Sequence, residues 1–351
     1  MKFNEILIKN DLFRTEITPY FTPERVEENK HEEGSLLNRL RSKRRDIIEK
    51  KHGVISAFNF NKQVFHSGNW SELSKIARGL FIKTATGEIE ARGYEKFFNY
   101  KEDKFNSDNF LRENLAFPVE VYEKYNGFLG ILSVFNDNLL FHSKSSIDGD
   151  YPEYFMKIFS KTQNVEDPND PYETKFNELK KFMKDNNICL VFEVIDHIND
   201  PHIVKYNADD IVLLDAVYLE EKFRNMPYDE LVEIGKRFNF KVKEKKFVFN
   251  NFNELHAFIV KEELDMTPQK EGYVIVDRNN YHFKLKCKWY KTWKFMRSIK
   301  DKIGKRQQFS TSALTMPVMN EFVAWCKKQN EDYLLNNDII TLRDKFYDEK
   351  Y

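Results

Sequence analysis

Cysteine is scarce in this chain: Cys189, Cys287 and Cys326 are the only three in 351 residues. They lie far apart and form no Cys-x-x-Cys pair, which argues against a disulfide framework or a zinc site and for a reducing compartment. Net charge is missing too, since 56 Lys and Arg balance 56 Asp and Glu. A nucleic-acid partner would therefore have to be held by a local basic face, not by the field of the whole protein. No apolar run approaches the roughly 20 residues that a bilayer span requires, and the N-terminus is polar, so neither a signal peptide nor a membrane segment is expected. The eight histidines show no metal-ligand spacing; His197 and His202 flank a turn expected at Asn199-Asp200-Pro201. Internal repeats and low-complexity segments are absent.

Aromatic carbon is abundant. The 32 phenylalanines and 17 tyrosines supply a substantial core, so disorder is not expected, and the length suits one large domain with an appendage or two modest ones. Residues 1–75 read as a polar N-terminal region with one helix, Ser35 to Lys51, in which Leu36, Leu37 and Leu40 share a face with Ile47 and Ile48. Its other face carries Arg39, Arg41, Lys43, Arg44 and Arg45. That face reads as an RNA-facing patch or as a solvated surface, the latter favoured because Asp46 and Glu49 interrupt it. Residues 54–145 read as successive strands with short turns. From Ser146 to Asn187 the pattern is helical and acidic, with a loop at Asp167-Pro168-Asn169-Asp170-Pro171. Strands return from Cys189 to about Val217, a helix spans Tyr228 to Phe238, and strands end near Leu285. Beyond Trp293 the chain is expected to be helical, with Pro317 opening one helix.

The chemistry concentrates on Lys124-Tyr125-Asn126-Gly127, between the alternating strand Phe117–Glu123 and the apolar strand that starts at Phe128. A lysine on a strand-to-strand turn, beside a glycine that lets a phosphate approach the backbone, suits a nucleophile that attacks a nucleotide. It equally suits a solvated hairpin lysine. Three more short strands follow, each with an ionisable residue set in an apolar run: Val191-Phe192-Glu193-Val194, Lys270-Glu271-Gly272-Tyr273-Val274-Ile275-Val276 and Phe283-Lys284-Leu285-Lys286. A charge in a buried strand is costly unless it is paired or put to use. Lys284 and Lys286, two apart on a strand, point to one face.

This ordered set resembles the covalent nucleotidyltransferases, the superfamily of DNA ligases, RNA ligases and capping enzymes. Ala77-Arg78-Gly79-Leu80-Phe81, then Ala91-Arg92-Gly93-Tyr94-Glu95-Lys96-Phe97-Phe98-Asn99, then Phe141-His142-Ser143-Lys144-Ser145-Ser146-Ile147 narrow it. With these the chain, from about residue 75 to 293, resembles the ATP-dependent RNA ligases of the phage tRNA-repair type. The resemblance implies an α+β fold, a nucleotidyltransferase domain of antiparallel sheets with the nucleotide between them, plus a small helical C-terminal module. The corresponding domains are 1–295, with an N-terminal extension, and 296–351.

It further implies that Lys124 attacks the α-phosphate of ATP and holds AMP as a phosphoramidate, before AMP passes to an RNA 5′-phosphate and is displaced by a 3′-hydroxyl. Glu193 matches a residue that binds the ribose or a metal-bound water, Glu271 the metal-site glutamate, and Lys284 and Lys286 the pair on the α-phosphate. Arg78, Lys96 and Lys144 match residues that hold the β- and γ-phosphates, and Phe98 one that packs near the nucleotide. Each has a plainer reading as a strand ion pair, a solvated base or a core ring. ATP and Mg2+, with Mn2+ as a substitute, are the implied cofactors. The family often has aspartate where this chain has Asn126, which keeps an acceptor and loses a charge.

RNA contact is expected between Tyr281 and Arg306, where Lys284, Lys288, Lys291, Lys294, Arg297, Lys300, Lys302, Lys305 and Arg306 interleave with Trp289, Tyr290 and Trp293. The same segment fits an amphipathic helix with its aromatics in the core. The expected partner is RNA with 5′-phosphate and 3′-hydroxyl ends, single-stranded or a broken tRNA-like stem-loop, and the expected state a monomer in the cytoplasm, that of a host if phage-encoded. The helices after Trp293 are expected to select RNA and not to build the ATP site. A non-catalytic RNA-binding relic of the fold and a capping-type guanylyltransferase remain the alternatives.

Overall fold

The computed structural model describes residues 34–163 and 172–350, so the loop expected at 167–171 lies outside the described residues. The first elements are α1 (Leu36–Ser42), β1 (Ile47–His52), β2 (Ile55–Phe60), α2 (Lys62–Ser67), α3 (Glu72–Ile76), β3 (Leu80–Lys83) and β4 (Ile89–Arg92). Then come α4 (Asp108–Asn114), β5 (Val119–Lys124), β6 (Phe128–Phe135), β7 (Asn138–Ser143), α5 (Asp150–Thr162) and α6 (Tyr172–Asp185). β8 (Ile188–Ile195), β9 (Asp210–Tyr218), α7 (Tyr228–Phe238), β10 (Lys241–Val242), β11 (Lys245–Phe249), α8 (Phe252–Leu264), β12 (Gly272–Val276) and β13 (His282–Lys286) follow. The C-terminal helices are α9 (Lys288–Gly304), α10 (Pro317–Cys326), α11 (Glu331–Asn336) and α12 (Ile339–Lys350). The chain divides into two compact units, the first made of residues up to Phe97, Phe128–Val194 and Asp210–Lys243, the second of Phe98–Gly127, Ile195–Asp209 and the chain from Glu244.

Two expectations about local structure need correction. The helix expected to reach Lys51 stops at Ser42, and Ile47–His52 pairs with β2 as an antiparallel strand. Leu36, Leu37 and Leu40 satisfy the helix's apolar face within two turns, whereas Ile47 is buried and Ile48 is 54% exposed, the alternation of a strand that β-branched side chains favour. Glu49, on that strand, accepts from Arg41 at 2.9 Å and from the Ser56 hydroxyl at 2.8 Å. The stretch 54–145 is also not purely strands. Three short α-helices interrupt it, each started by a polar cap: the Asn61 side chain accepts from Val64 N (2.8 Å), Ser71 from Ser74 N (3.2 Å) and Ser107 from Phe110 N (3.4 Å). The helix at Tyr228–Phe238 and the helix opened by Pro317 are as expected.

The first unit contains two sheets, β1-β2-β3-β4 and β10-β9-β8-β6-β7. Every residue of β8 is buried, because both of its faces are covered. Ile188, Leu190, Phe192 and Val194 enter a core with Phe155 and Phe159 of α5 and Phe176 of α6. Cys189 and Val191 face a second core with Phe81 and Ala91 of the other sheet. Glu193 continues this second row by strand alternation.

The second unit contains the sheet β11-β5-β12-β13, antiparallel throughout. Val119, Val121, Tyr273, Ile275, Phe283 and Leu285 line one face and pack with Phe252, Leu255 and Ile259 of α8. The alternate positions, Lys124, Lys284 and Lys286 among them, are left for the other face. Trp289, Trp293 and Met296 of α9 pack with Phe322 of α10, Leu334 of α11 and Phe346 of α12 in a separate helical core. All three cysteines are unpaired and buried, and among the described residues no helix is long and apolar enough to cross a membrane.

A buried histidine in the first unit sets a pH limit on stability. His142 is inaccessible to solvent, its Nε2 lies 2.9 Å from Ser133 Oγ, and its Nδ1 has no hydrogen-bond partner. Burial pushes its pKa from 6.5 to about 3, with the His52 charge adding to the effect. Below the unfolded value, the unfolded chain binds a proton that the folded chain refuses, so stability falls as pH drops from about 6.5 towards 3. In urea unfolding at pH 7, 6 and 5, the wild-type chain should lose more stability than His142→Asn, by up to about 1.4 kcal/mol per pH unit below 6. Parallel profiles for the two proteins would refute this assignment.

Candidate active site

Register brings three of the expected residues together in the second unit. Gly272 opens β12 and lies opposite Lys124 of β5 on one side and Lys286 of β13 on the other. Its φ is +145°, and a Cβ there would lie 2.0 Å from Leu285 O, so only glycine fits. The residue before it, Glu271, is 4% exposed, and its Oε1 lies 3.2 Å from Lys124 Nζ and 3.5 Å from Lys286 Nζ. Burial alone would raise the Glu271 pKa, but the charges of Lys124 and Lys286 hold it below the ordinary carboxylate value. For Lys286 burial prevails, and its pKa falls to about 8 against the pull of Glu271. Lys284 pairs with Val274 two residues along, and its backbone N and O bind Phe98 O (2.9 Å) and Tyr100 N (2.7 Å). Phe98 is thus tied by its main chain to the edge of this sheet.

Asn126 is built into the same site. Its Nδ2 donates to Glu271 Oε2 at 2.8 Å and lies 3.4 Å from the Tyr290 hydroxyl, while its Oδ1 accepts from Ile203 N and Val204 N, both at 3.0 Å. Both ends of the amide are in use. An ionised aspartate could accept the two backbone bonds but would set a second carboxylate against Glu271, so here the amide does what an acid could not. From the sequence Asn126 kept an acceptor and lost a charge; the donors to that acceptor come from a loop 77 and 78 residues away.

The remaining expected residues belong to the first unit. Arg78 precedes β3, and its Nη1 donates to Tyr94 O at 3.1 Å. Burial lowers its pKa, and Glu193 is the main charge acting against this, so Arg78 and Glu193 are electrostatic partners. Lys144 is held below its ordinary value by desolvation first and by the Arg78 charge second. Gly79 (φ +63°) lets Lys144 O come within 3.6 Å of the place of a Cβ. Lys96 Nζ donates to Phe97 O at 3.4 Å and lies 5.2 Å over the Trp70 ring. The grouping of Arg78, Lys144 and Glu193 suits a phosphate-bearing ligand, with a forked guanidinium at its centre.

The expected RNA-stacking residues are corrected. Trp289, Tyr290 and Trp293 are 4%, 5% and 1% exposed, because they form the buried stripe of α9, and their faces are not open to bases. Lys300 is buried as well and donates to Leu334 O (2.9 Å) and Asn337 O (2.8 Å). Lys291, Lys294, Lys302, Lys305 and Arg306 are exposed, with Lys291 paired to Glu263 and Arg306 to Glu331. His197 and His202 bind Asp209 (2.6 Å) and Asp200 (2.9 Å) as loop residues. Among the described residues no three or more acids, histidines or cysteines converge on one point.

The chain is 26% identical over 204 residues to a tRNA ligase of Candida albicans, a match covering 53% of this chain and 24% of that protein. It is 24% identical over 333 residues to tRNA ligase 1 of Schizosaccharomyces pombe, covering 80% of this chain and 39% of the relative. It thus spans well under half the length of these relatives. Among solved structures, a putative ATP-dependent DNA ligase from Aquifex aeolicus aligns with a TM-score of 0.49 at 15% identity, over 84% of this chain and 72% of that one. An archaeal ATP-dependent RNA ligase aligns with the same score at 14% identity, over 86% and 72%. The family described as RNA ligase matches residues 76–291, a stretch that runs from the arginine beside Glu193 past the lysines beside Glu271, and the chain therefore belongs to the RNA ligase family.

Proposed function

We propose that this chain is an ATP-dependent RNA ligase that joins a 5′-phosphate to a 3′-hydroxyl on single-stranded or broken tRNA-like RNA, in RNA repair. The observation that carries this reading is the fixed position of Lys124 Nζ, 3.2 Å from a buried carboxylate that Lys286 and Asn126 also hold. The tRNA ligases among its relatives support the substrate class. Three buried, unpaired thiols support a cytoplasmic setting.

Lys124 attacks the α-phosphate of ATP: a P–N bond forms, the bond to pyrophosphate breaks, and AMP stays on the lysine. AMP then passes to the RNA 5′-phosphate, and the 3′-hydroxyl displaces it to form the phosphodiester. A free lysine, with a pKa of about 10.4, is almost wholly protonated at neutral pH, so its attack needs neighbours that weaken its hold on the proton. Lys286 is a cation acting in this sense, while Glu271, 3.2 Å from Lys124 Nζ, acts against it. One carboxylate, Glu271, suits Mg2+, which takes hard oxygens and commonly completes its shell with water and phosphate; bound there, it would neutralise the triphosphate. Glu193 is the other carboxylate assigned to the nucleotide or its metal. Lys284 and Lys286 hold the α-phosphate, while Arg78, Lys96 and Lys144 take the outer phosphates and pyrophosphate. Phe98 packs near the nucleotide.

Incubation with labelled ATP, and separately with labelled GTP, tests this reading. ATP with Mg2+ should label the protein through an acid-labile, base-stable bond, and Lys124→Ala should abolish the label. GTP labelling would favour the capping reaction instead, and no labelling a binding relic. Glu271→Ala and Lys286→Ala should each slow self-adenylylation by about a hundredfold or more, equivalent to roughly 3 kcal/mol for one preorganised charge. Near-normal rates in both folded variants would make this cluster structural only.

A further inference from the structure

The Asn126 amide is held from outside the shared motifs, by a loop that is itself held by the last helix. Ile203 is fully buried in the helical core. Its N–H donates to Asn126 Oδ1, and its carbonyl accepts from Arg343 Nη1 at 2.8 Å. Arg343, on α12, is 3% exposed, and its guanidinium lies 4.9 Å from the Trp289 ring centre and 5.5 Å from that of Trp293. Lys205 Nζ ties the same loop to Asp344 of the same helix at 2.7 Å. The Tyr206 hydroxyl accepts from Asn126 N at 3.0 Å. One peptide, Ile203-Val204, is therefore gripped by Arg343 on one side and by the motif asparagine on the other.

We propose that Arg343 is a positioning residue for self-adenylylation, acting through Ile203 and Asn126 on the Glu271 carboxylate that holds Lys124. It touches neither ATP nor the reacting lysine. Two stacked rings fix its planar fork, the fork fixes Ile203 O, and the adjoining amides of Ile203 and Val204 orient the only side-chain carbonyl that they bind. That orientation decides which end of the Asn126 amide faces Glu271. If the amide turned over, its oxygen would face the carboxylate and its NH2 group two backbone donors, so every bond in the chain depends on one orientation. The last helix thus takes part in the ATP step, beyond the RNA selection expected of it. The inference rests on Lys124 being the nucleophile.

The test compares wild type, Arg343→Met, Arg343→Lys, Asn126→Ala and the double variant Arg343→Met/Asn126→Ala. Single-turnover formation of the AMP adduct is followed by intact mass across ATP concentrations, and amide hydrogen exchange is read at Ile203 and Val204 well below the melting temperature. Arg343→Met should lower the maximal rate about tenfold at unchanged half-saturating ATP, speed exchange at both amides, and add less than twofold in the Asn126→Ala background. Arg343→Lys keeps the charge and the packed stem but ends about one bond short of Ile203 O, so it should still lower the rate at least threefold if Arg343→Met fails to fold. A wild-type rate in either folded variant, or full multiplication of the two effects in the double variant, overturns the proposal. If the wild-type protein forms no adduct, the ligase reading fails instead; exchange at Ile203 and Val204 then decides the grip alone, and unchanged exchange in Arg343→Lys refutes it.

Discussion

A carboxylate that is 4% exposed is tolerated in this sheet only because three groups meet it: the ammonium groups of Lys124 and Lys286 and the Asn126 amide. Glu271 alone in that place would carry a desolvation cost of several kcal/mol, and neutralising either lysine by mutation would return part of it. The reverse dependence is equally strong. Lys124 is placed by the register of β5 on β12, and that register is pinned by a glycine with no room for a Cβ. Gly272 gives β12 its entry angle, the entry angle sets Glu271, and Glu271 holds the two lysines of the flanking strands.

The first unit solves a similar problem in another way. Glu193 stands in a strand whose every position is buried, and the charge that faces it is Arg78, itself desolvated. A guanidinium keeps its charge when buried where a lysine gives it up, and this makes it the better fixed cation for a polyphosphate. Lys144, lowered by burial first and by the Arg78 charge second, would regain proton affinity as an anion arrived. The cluster is thus suited to bind negative charge and then to release it when the anion leaves.

Much of this was legible in the sequence because strand alternation is local. Lys284 and Lys286 had to share a face, Glu193 and Glu271 had to be paired or used, and the helix expected at Tyr228–Phe238 stands at those bounds. The misreadings share a cause. Ile47 and Ile48 fit a helical stripe as well as a strand, and pairing with β2, a contact outside the segment, decided between them. Trp289, Tyr290 and Trp293 looked like stacking platforms beside lysines, yet the helical core made by residues 317–346 covers them. The use of Asn126 Oδ1 and the role of Arg343 were invisible for the same reason: their partners are backbone groups of a loop far off in sequence, and backbone groups leave no trace in residue identity.

The central claim is that register and pairing make Lys124, and not its neighbour Lys286, whose pKa burial lowers to about 8, the nucleophile. The most direct measurement is to incubate the protein with ATP and Mg2+, digest it at alkaline pH, and locate the added AMP by tandem mass spectrometry. The account predicts AMP on the peptide that contains Lys124, with Lys286 unmodified. AMP on Lys286, or on any lysine other than Lys124, would contradict it.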